Sequence, residues 1–251
     1  MITVGHDSEF ALYSGGQVFS ALDVLDKKPV QVGESGSYFP DNLNVEIAIS
    51  PVDNLKDFHQ KTEDCLNAVR SLGYSLLDTP TVKYDDRALD HKKAFISGCN
   101  TDYCGYRREA NESPNFRVMD GTRSLGGHIH IGDKSVDPFN LSRWMDIFLG
   151  LHFVMKEPGN TRRELYGKAG CLRPKPYGME YRTLSSVWVQ QAEDREFVWE
   201  GLHKAVEWAK KGDYRDYVSE FDWRDIPHAI NTGDKQLTST ILDRLYIFNI
   251  K

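Results

Sequence analysis

The chain has 251 residues and a formal net charge of -6, with a pI ≈ 5.8, so no general positive field draws it to nucleic acid or to an anionic membrane. A hydrophobic share of 40% with 12% aromatics excludes a disordered chain and suffices for a sizeable core, so a single domain over residues 1–251 is expected. No run of about 18 apolar residues occurs, and MITVGHDSEF has neither a basic start nor an apolar segment, which predicts a cytoplasmic protein without a membrane span.

Residues 2–20 read as a hairpin: ITVGHDSEFALY is extended, SGG turns and QVFSAL returns. LNVEIAIS is a second strong strand that stops at Pro51. Leu55, Phe58, Leu66, Val69 and Leu72 recur at helical spacing, Gly73 ends that helix, and YSLL continues as a strand. Residues 80–122 are polar and rich in Gly, Asn, Pro and Arg, and long loops of this kind in compact domains are usually functional or disordered. GGHIHIG at 126–132 follows as a strand. Asp137 then caps a helix with Pro138 in its first turn, running through Met155. The basic segment RRELYGKAGCLRPKPYG reads as a loop, MEYRTLSSVWV as a strand, and 192–211 and 234–247 as helices. Helices on one face of a largely antiparallel sheet, an α+β fold, is the simplest layered solution.

Four strand segments carry polar side chains at spacing two, which puts each set on one face. These are Asp7 and Glu9; Asn42, Asn44 and Glu46; His128 and His130; and Glu180 with Arg182. Any one of them could be the wet face of an ordinary sheet. Together they would repel one another unless something positive lay between them, and carboxylates with one imidazole suit a hard divalent cation such as Mg²⁺ or Mn²⁺. Arg162, Arg163, Lys168, Arg173, Lys175 and Arg182 form a local cationic arch, suited to phosphate and carboxylate unless it is simply a solvated basic loop. No GxxxxGK[ST] occurs, so a nucleotide would be held by metals and arginines. Cys65, Cys99, Cys104 and Cys171 form no CxxC pair and read as reduced thiols, with a metal site on Cys99 and Cys104 the lesser alternative.

The segments GHDSEF, DNLNVEIAISP, SGCNTDYCGY, GTRSLGGHIHIG and RRELYGKAGCLRPKPYGMEYRTLSS resemble, in order from 5 to 186, the glutamine-synthetase-like carboxylate-amine ligases. The small phage-encoded branch is the most similar. The resemblance implies a curved antiparallel sheet cupping the active site, with Mg²⁺ or Mn²⁺ bridging ATP to a carboxylate. It also implies an acyl phosphate that an amine opens to an amide. On the matching positions, Glu9 and Glu46 look like ligands of one metal, and Asp7, His128 and Glu180 like ligands of another. His130 is similar to the histidine that contacts the nucleotide, and Arg182 to the arginine that stabilises the transferring phosphoryl. Arg173, Arg163 and Lys168 match basic residues that meet phosphates or the substrate carboxylate.

Two departures from the larger enzymes stand out. The first carboxylate is Asp7 where they carry Glu, and the second strand offers only Glu46 where they carry two glutamates, which leaves a third metal open. Gly126 and Gly127 are expected to let the backbone approach a bulky ligand. Cys99, Asp102, Tyr103 and Arg123 are candidate contacts to a small-molecule or peptide acid and amine. A kinase on the same fold, a metal-dependent hydrolase and a nucleotide-free binding protein are the alternative readings; the sequence says nothing of assembly state.

Overall fold

The computed structural model describes residues 2–95, 101–112, 120–157, 159, 161–217 and 222–247. Its centre is a nine-stranded sheet in which every neighbouring pair is antiparallel. Across the sheet the strands run Glu109–Ala110, Tyr103–Cys104, Cys171–Lys175, Gly178–Tyr181, Gly127–Gly132, Thr3–Phe10, Asn44–Ile49, Gly36–Asp41 and Val30–Val32. With helices packed on the sheet, the α+β expectation holds at that level. No helix among the described residues is long and apolar enough to cross a membrane.

Alternation along the central strands explains the layering. On Thr3–Phe10 the residues Val4, His6, Ser8 and Phe10 are fully buried, while Asp7 and Glu9 on the other face are only partly so. His6 shows how a polar residue survives on the core side. Its Nε2 bonds Thr62 at 3.0 Å, its Nδ1 accepts from Ser8 at 2.9 Å, and its ring meets Phe58 and Trp188 edge-on. Burial lowers its pKa to about 3, so the ring is neutral. Thr62 and Phe58 come from the Leu55–Arg70 helix, which Asn54 caps through the Asp57 amide as its sequence position favours.

The predicted first hairpin divides differently. Thr3–Phe10 joins the large sheet, and the hairpin proper is Leu12–Ser14 against Gln17–Phe19 in a separate three-stranded sheet with Ser75–Leu76. The basic segment is not a simple loop either. It holds the short helix Thr161–Leu165 and the strand Cys171–Lys175, whose pairing with Gly178–Tyr181 is a tertiary gain that alternation alone does not reveal. The strand expected over MEYRTLSSVWV spans only Gly178–Tyr181, and Ser186–Trp188 turns as a 3₁₀ segment. The helix after Asp137 starts as expected, with Asp137 accepting from the Asn140 amide, but Asp146–Gly150 is wound as a π-turn before Leu151–Lys156 completes it.

That π-turn holds a fully buried acid. Asp146 accepts hydrogen bonds from Tyr181 at 2.6 Å and Tyr106 at 3.0 Å, yet desolvation outweighs them and raises its pKa from 3.8 to about 7. The folded state therefore binds this proton more tightly than the unfolded chain. Its stabilisation is complete below pH 4 and is lost as pH rises through 7, by at most about 4 kcal/mol across those three pH units. Chemical denaturation of the wild type and Asp146→Asn from pH 4 to 8 should show the wild type losing ground to the variant over that window. A difference independent of pH would contradict the assignment.

Candidate functional site

The pairing register places the chemistry-bearing residues on one face of five adjacent strands. Asp7 lies opposite His128, Gly5 opposite His130, Glu9 opposite Glu46, and Glu180 opposite both His130 and Arg173. Paired residues share a face in an antiparallel sheet, so Asp7, Glu9, Glu46, His128, His130, Arg173 and Glu180 line a common surface, with Arg182 next along the Glu180 strand.

At one end of that surface, Glu9, Asp41 and Glu46 bring carboxylate oxygens within 4.8 Å of one another, the one such metal-competent group among the described residues. Asp41 was not among the residues singled out from the sequence. It reaches the group because Asn42 and Leu43 form a two-residue hairpin that sets Asp41 opposite Asn44, diagonal to Glu46. The DNLN spacing, with Asn42 in the left-handed region at φ 55, was the available signal. The second carboxylate absent from the Glu46 strand is thus supplied by its neighbour. Asn42 itself sits in the turn, binding Arg123 and the Ala94 carbonyl, whereas Asn44 donates to Glu9 at 3.4 Å.

Electrostatics marks this group as unfinished. Desolvation and then the charges of Asp7, Glu9 and Asp41 hold the Glu46 pKa well above the usual carboxylate range. Desolvation and Asp41 raise Glu9 to about 7, against the Gly126 amide that donates to it at 3.0 Å. Asp41 is raised too, chiefly by desolvation, although Arg182 and a hydrogen bond with Glu46 oppose the shift. A cluster in which Asp41 disfavours ionisation of Glu9, and both disfavour that of Glu46, fits a site whose charge balance includes a divalent cation.

His128 fits the same picture. It is 3% exposed, its Nε2 finds no hydrogen-bond partner, and desolvation, then Arg182 and Arg162, keep it neutral, as a metal-binding imidazole must be. A Cβ on Gly126 would run into that ring, and one on Gly127 into the Ser185 carbonyl and Trp188. The two glycines therefore make room for protein groups, not for the bulky ligand expected of them.

The second expected ligand set is not gathered into one group. Glu180, 1% exposed, is surrounded by cations: Arg173 at 3.0 Å, Lys175 at 2.9 Å and Arg182 in direct contact, with His128 Nδ1 at 3.7 Å. Asp7 instead accepts from His130 Nε2 at 2.7 Å, and His130 Nδ1 pairs with the Tyr177 hydroxyl. Burial opposes ionisation of Asp7, but this bond and the charge of His130 keep its pKa low. Both ring nitrogens of His130 are engaged, so here it orients Asp7.

The cationic arch divides in two. Arg173, Lys175 and Arg182 face the site. Arg162 and Arg163 are 2% and 3% exposed and bind the carbonyls of residues 182–184 and Gly167, and Arg163 also pairs with Glu157 at 3.2 Å. The expected phosphate contact of Arg163 does not match this placement: its donors satisfy buried acceptors that would otherwise be orphaned. Lys168 is exposed, while its carbonyl accepts from Thr183 and Cys171.

The expected substrate contacts fare similarly. Arg123 is buried against Ala94, Thr122 and Asn42, and Tyr103 pairs with Leu172 on the helix side, edge-on to Phe139. Asp102 is 8% exposed and bonded to Tyr166, Asn111 and Cys171. Cys99 lies outside the described residues, and Cys104 stands opposite Cys171 with both thiols free.

No curated protein matches the chain. Residues 120–224 match the family described as phage phiEco32-like COOH.NH2 ligase-type 2. That stretch contains His128, His130, Arg173, Glu180 and Arg182, and the carboxylates of the first strands precede it. Over these residues the chain is similar to the phage-type carboxylate-amine ligases, which bears out the resemblance carried by its motifs.

Proposed function

We propose that the protein is an ATP-dependent carboxylate-amine ligase built on a glutamine-synthetase-like sheet, forming an amide through an acyl phosphate. The observation that carries this reading is the division of one sheet face into an acidic pole, Glu9–Asp41–Glu46, and a cationic pole, Arg173–Lys175–Arg182 around Glu180. Phosphoryl transfer between two anions demands this division, because catalysis is mostly positioning and charge neutralisation.

Glu9, Asp41 and Glu46 would hold Mg²⁺ or Mn²⁺; His128, Asp7 and Glu180 would serve a second ion. Bound metal supplies charge neutralisation for the anionic reactants. Arg173, Lys175 and Arg182 receive the phosphate oxygens. A carboxylate oxygen of the acid attacks the γ-phosphorus, the bond to ADP breaks, and the amine then attacks the acyl carbon as phosphate departs and the amine gives up a proton. The acid and amine are small molecules or peptides, and the need for ATP fits the cytoplasm, such as that of a phage-infected bacterium.

The test is ADP and phosphate release in the presence of Mg²⁺, ATP and pooled acids and amines. Release should require both an acid and an amine, and Asp41→Asn should reduce it by about 100-fold or more, the scale of losing a charge-stabilising group. A stable phosphorylated acid formed without any amine would identify a kinase. Turnover with metal but no nucleotide would identify a hydrolase. Either result overturns the reading.

A further inference from the structure

Arg182 is nearly buried, and a buried guanidinium acts on a substrate only if its orientation is imposed. Its Nη1 contacts Glu180, on the strand that Arg182 directly follows. On the other side its Nε donates to the Tyr166 hydroxyl at 2.5 Å, and that hydroxyl donates to Asp102 Oδ2 at 2.8 Å. Asp102 also accepts from Asn111 Nδ2 at 3.0 Å and from the Cys171 thiol at 3.3 Å, and its Oδ2 lies 3.5 Å from Arg182 Nε. The Tyr166 ring lies under the Arg182 guanidinium, 5.1 Å from ring centre to Cζ, and 6.1 Å from the His128 ring.

We infer that Tyr166, anchored by Asp102, is a positioning residue that orients Arg182 toward the reacting phosphate and sets the plane of His128. This rests on the ligase reading above. The hydroxyl is held from both ends, by a cation that donates to it and an anion that accepts from it, so its own orientation is determined. The backbone that delivers it is held as tightly. Arg162 and Arg163, from the helix preceding Tyr166, clasp the carbonyls of residues 182–184, so the Tyr166 segment and the Arg182 strand move as one body. Asp102, on the polar 80–122 segment, thereby acts on the site through Tyr166.

The decisive experiment reads Arg182 directly. In ¹⁵N-arginine-labelled protein, with the Arg182 Nε–H signal assigned by its loss in Arg182→Lys, hydrogen exchange should slow markedly in the wild type. Tyr166→Phe keeps the ring and removes the relay, and it should accelerate that exchange by about tenfold or more, the worth of one hydrogen bond to a charged group. Asp102→Asn should do so to a lesser degree, and neither should move the exchange of other arginine side chains. In turnover Tyr166→Phe should lose kcat with KM for ATP nearly unchanged, and a titration with Mn²⁺-ATP should show binding close to that of the wild type. Unchanged Arg182 exchange in Tyr166→Phe, or acceleration shared by all arginines, overturns the proposal. Failure of the wild type to bind Mn²⁺-ATP would instead count against the ligase reading, with the exchange data still deciding the relay.

Discussion

Replacing Glu46 by glutamine is expected to make the metal-free protein more stable while removing its response to divalent cations. Glu46 shares the 4.8 Å cluster with Glu9 and Asp41, and desolvation and three neighbouring acids disfavour its charged form. Glutamine keeps the shape and the hydrogen-bonding reach but removes the repulsion. Relief of about 1–2 kcal/mol raises Tm by roughly 2–8 °C in a chain of this size. The advantage should grow with pH, because a carboxylate whose folded pKa is raised contributes least stability once it is forced to ionise. For the wild type, Mn²⁺ at about 100 times its Kd should add about 2.7 kcal/mol, and the variant should forfeit most of that gain. Thermal melts with and without Mn²⁺, at pH 6 and 8, check both signs. A destabilised metal-free variant with an intact Mn²⁺ response would show that Glu46 is a structural acid.

Glu180→Gln should do the opposite. Glu180 is 1% exposed and balances Arg173, Lys175 and Arg182. Removing its charge takes the shared counter-ion from buried Arg182 and from the partly buried Arg173 and Lys175, at a cost of up to about 3–5 kcal/mol. Tm should fall by roughly 6–20 °C at neutral pH, and added phosphate should restore part of the loss by taking the place of the missing anion. A melt matching the wild type would mean that the three cations are not held by Glu180. Two glutamates on one sheet face, with two strands between theirs, are thus expected to answer the same substitution with opposite signs: one stands among acids, the other among bases.

The contrast between these two glutamates shows where sequence reasoning stops. Both were legible as candidates from spacing alone. A period of two assigns a side chain to a face, and the glycine-flanked histidines and Glu180 lie on the strands where that pattern put them, with Arg182 just beyond the end of its strand. The helices Leu55–Arg70 and Ala192–Lys211 and the Asp137 cap were equally readable, because they rest on contacts three or four residues apart. The family match over residues 120–224 agrees with the motifs in that part of the chain.

What stands beside each side chain was not legible, because it depends on pairing between strands far apart in sequence. Asp41 became a member of the acidic group through the register of one hairpin, and Arg163 left the expected phosphate contacts because the carbonyls of Thr183 and Gly167 needed its donors. Asp102 and Tyr166 reached Arg182 only through packing across the Cys171–Lys175 edge. The sequence by itself determined the residue types, the strand faces and the chemical class they suggest. Only the tertiary structure decided partners and protonation, since burial and the charge of a neighbour a few ångströms away set both, and local periodicity contains neither.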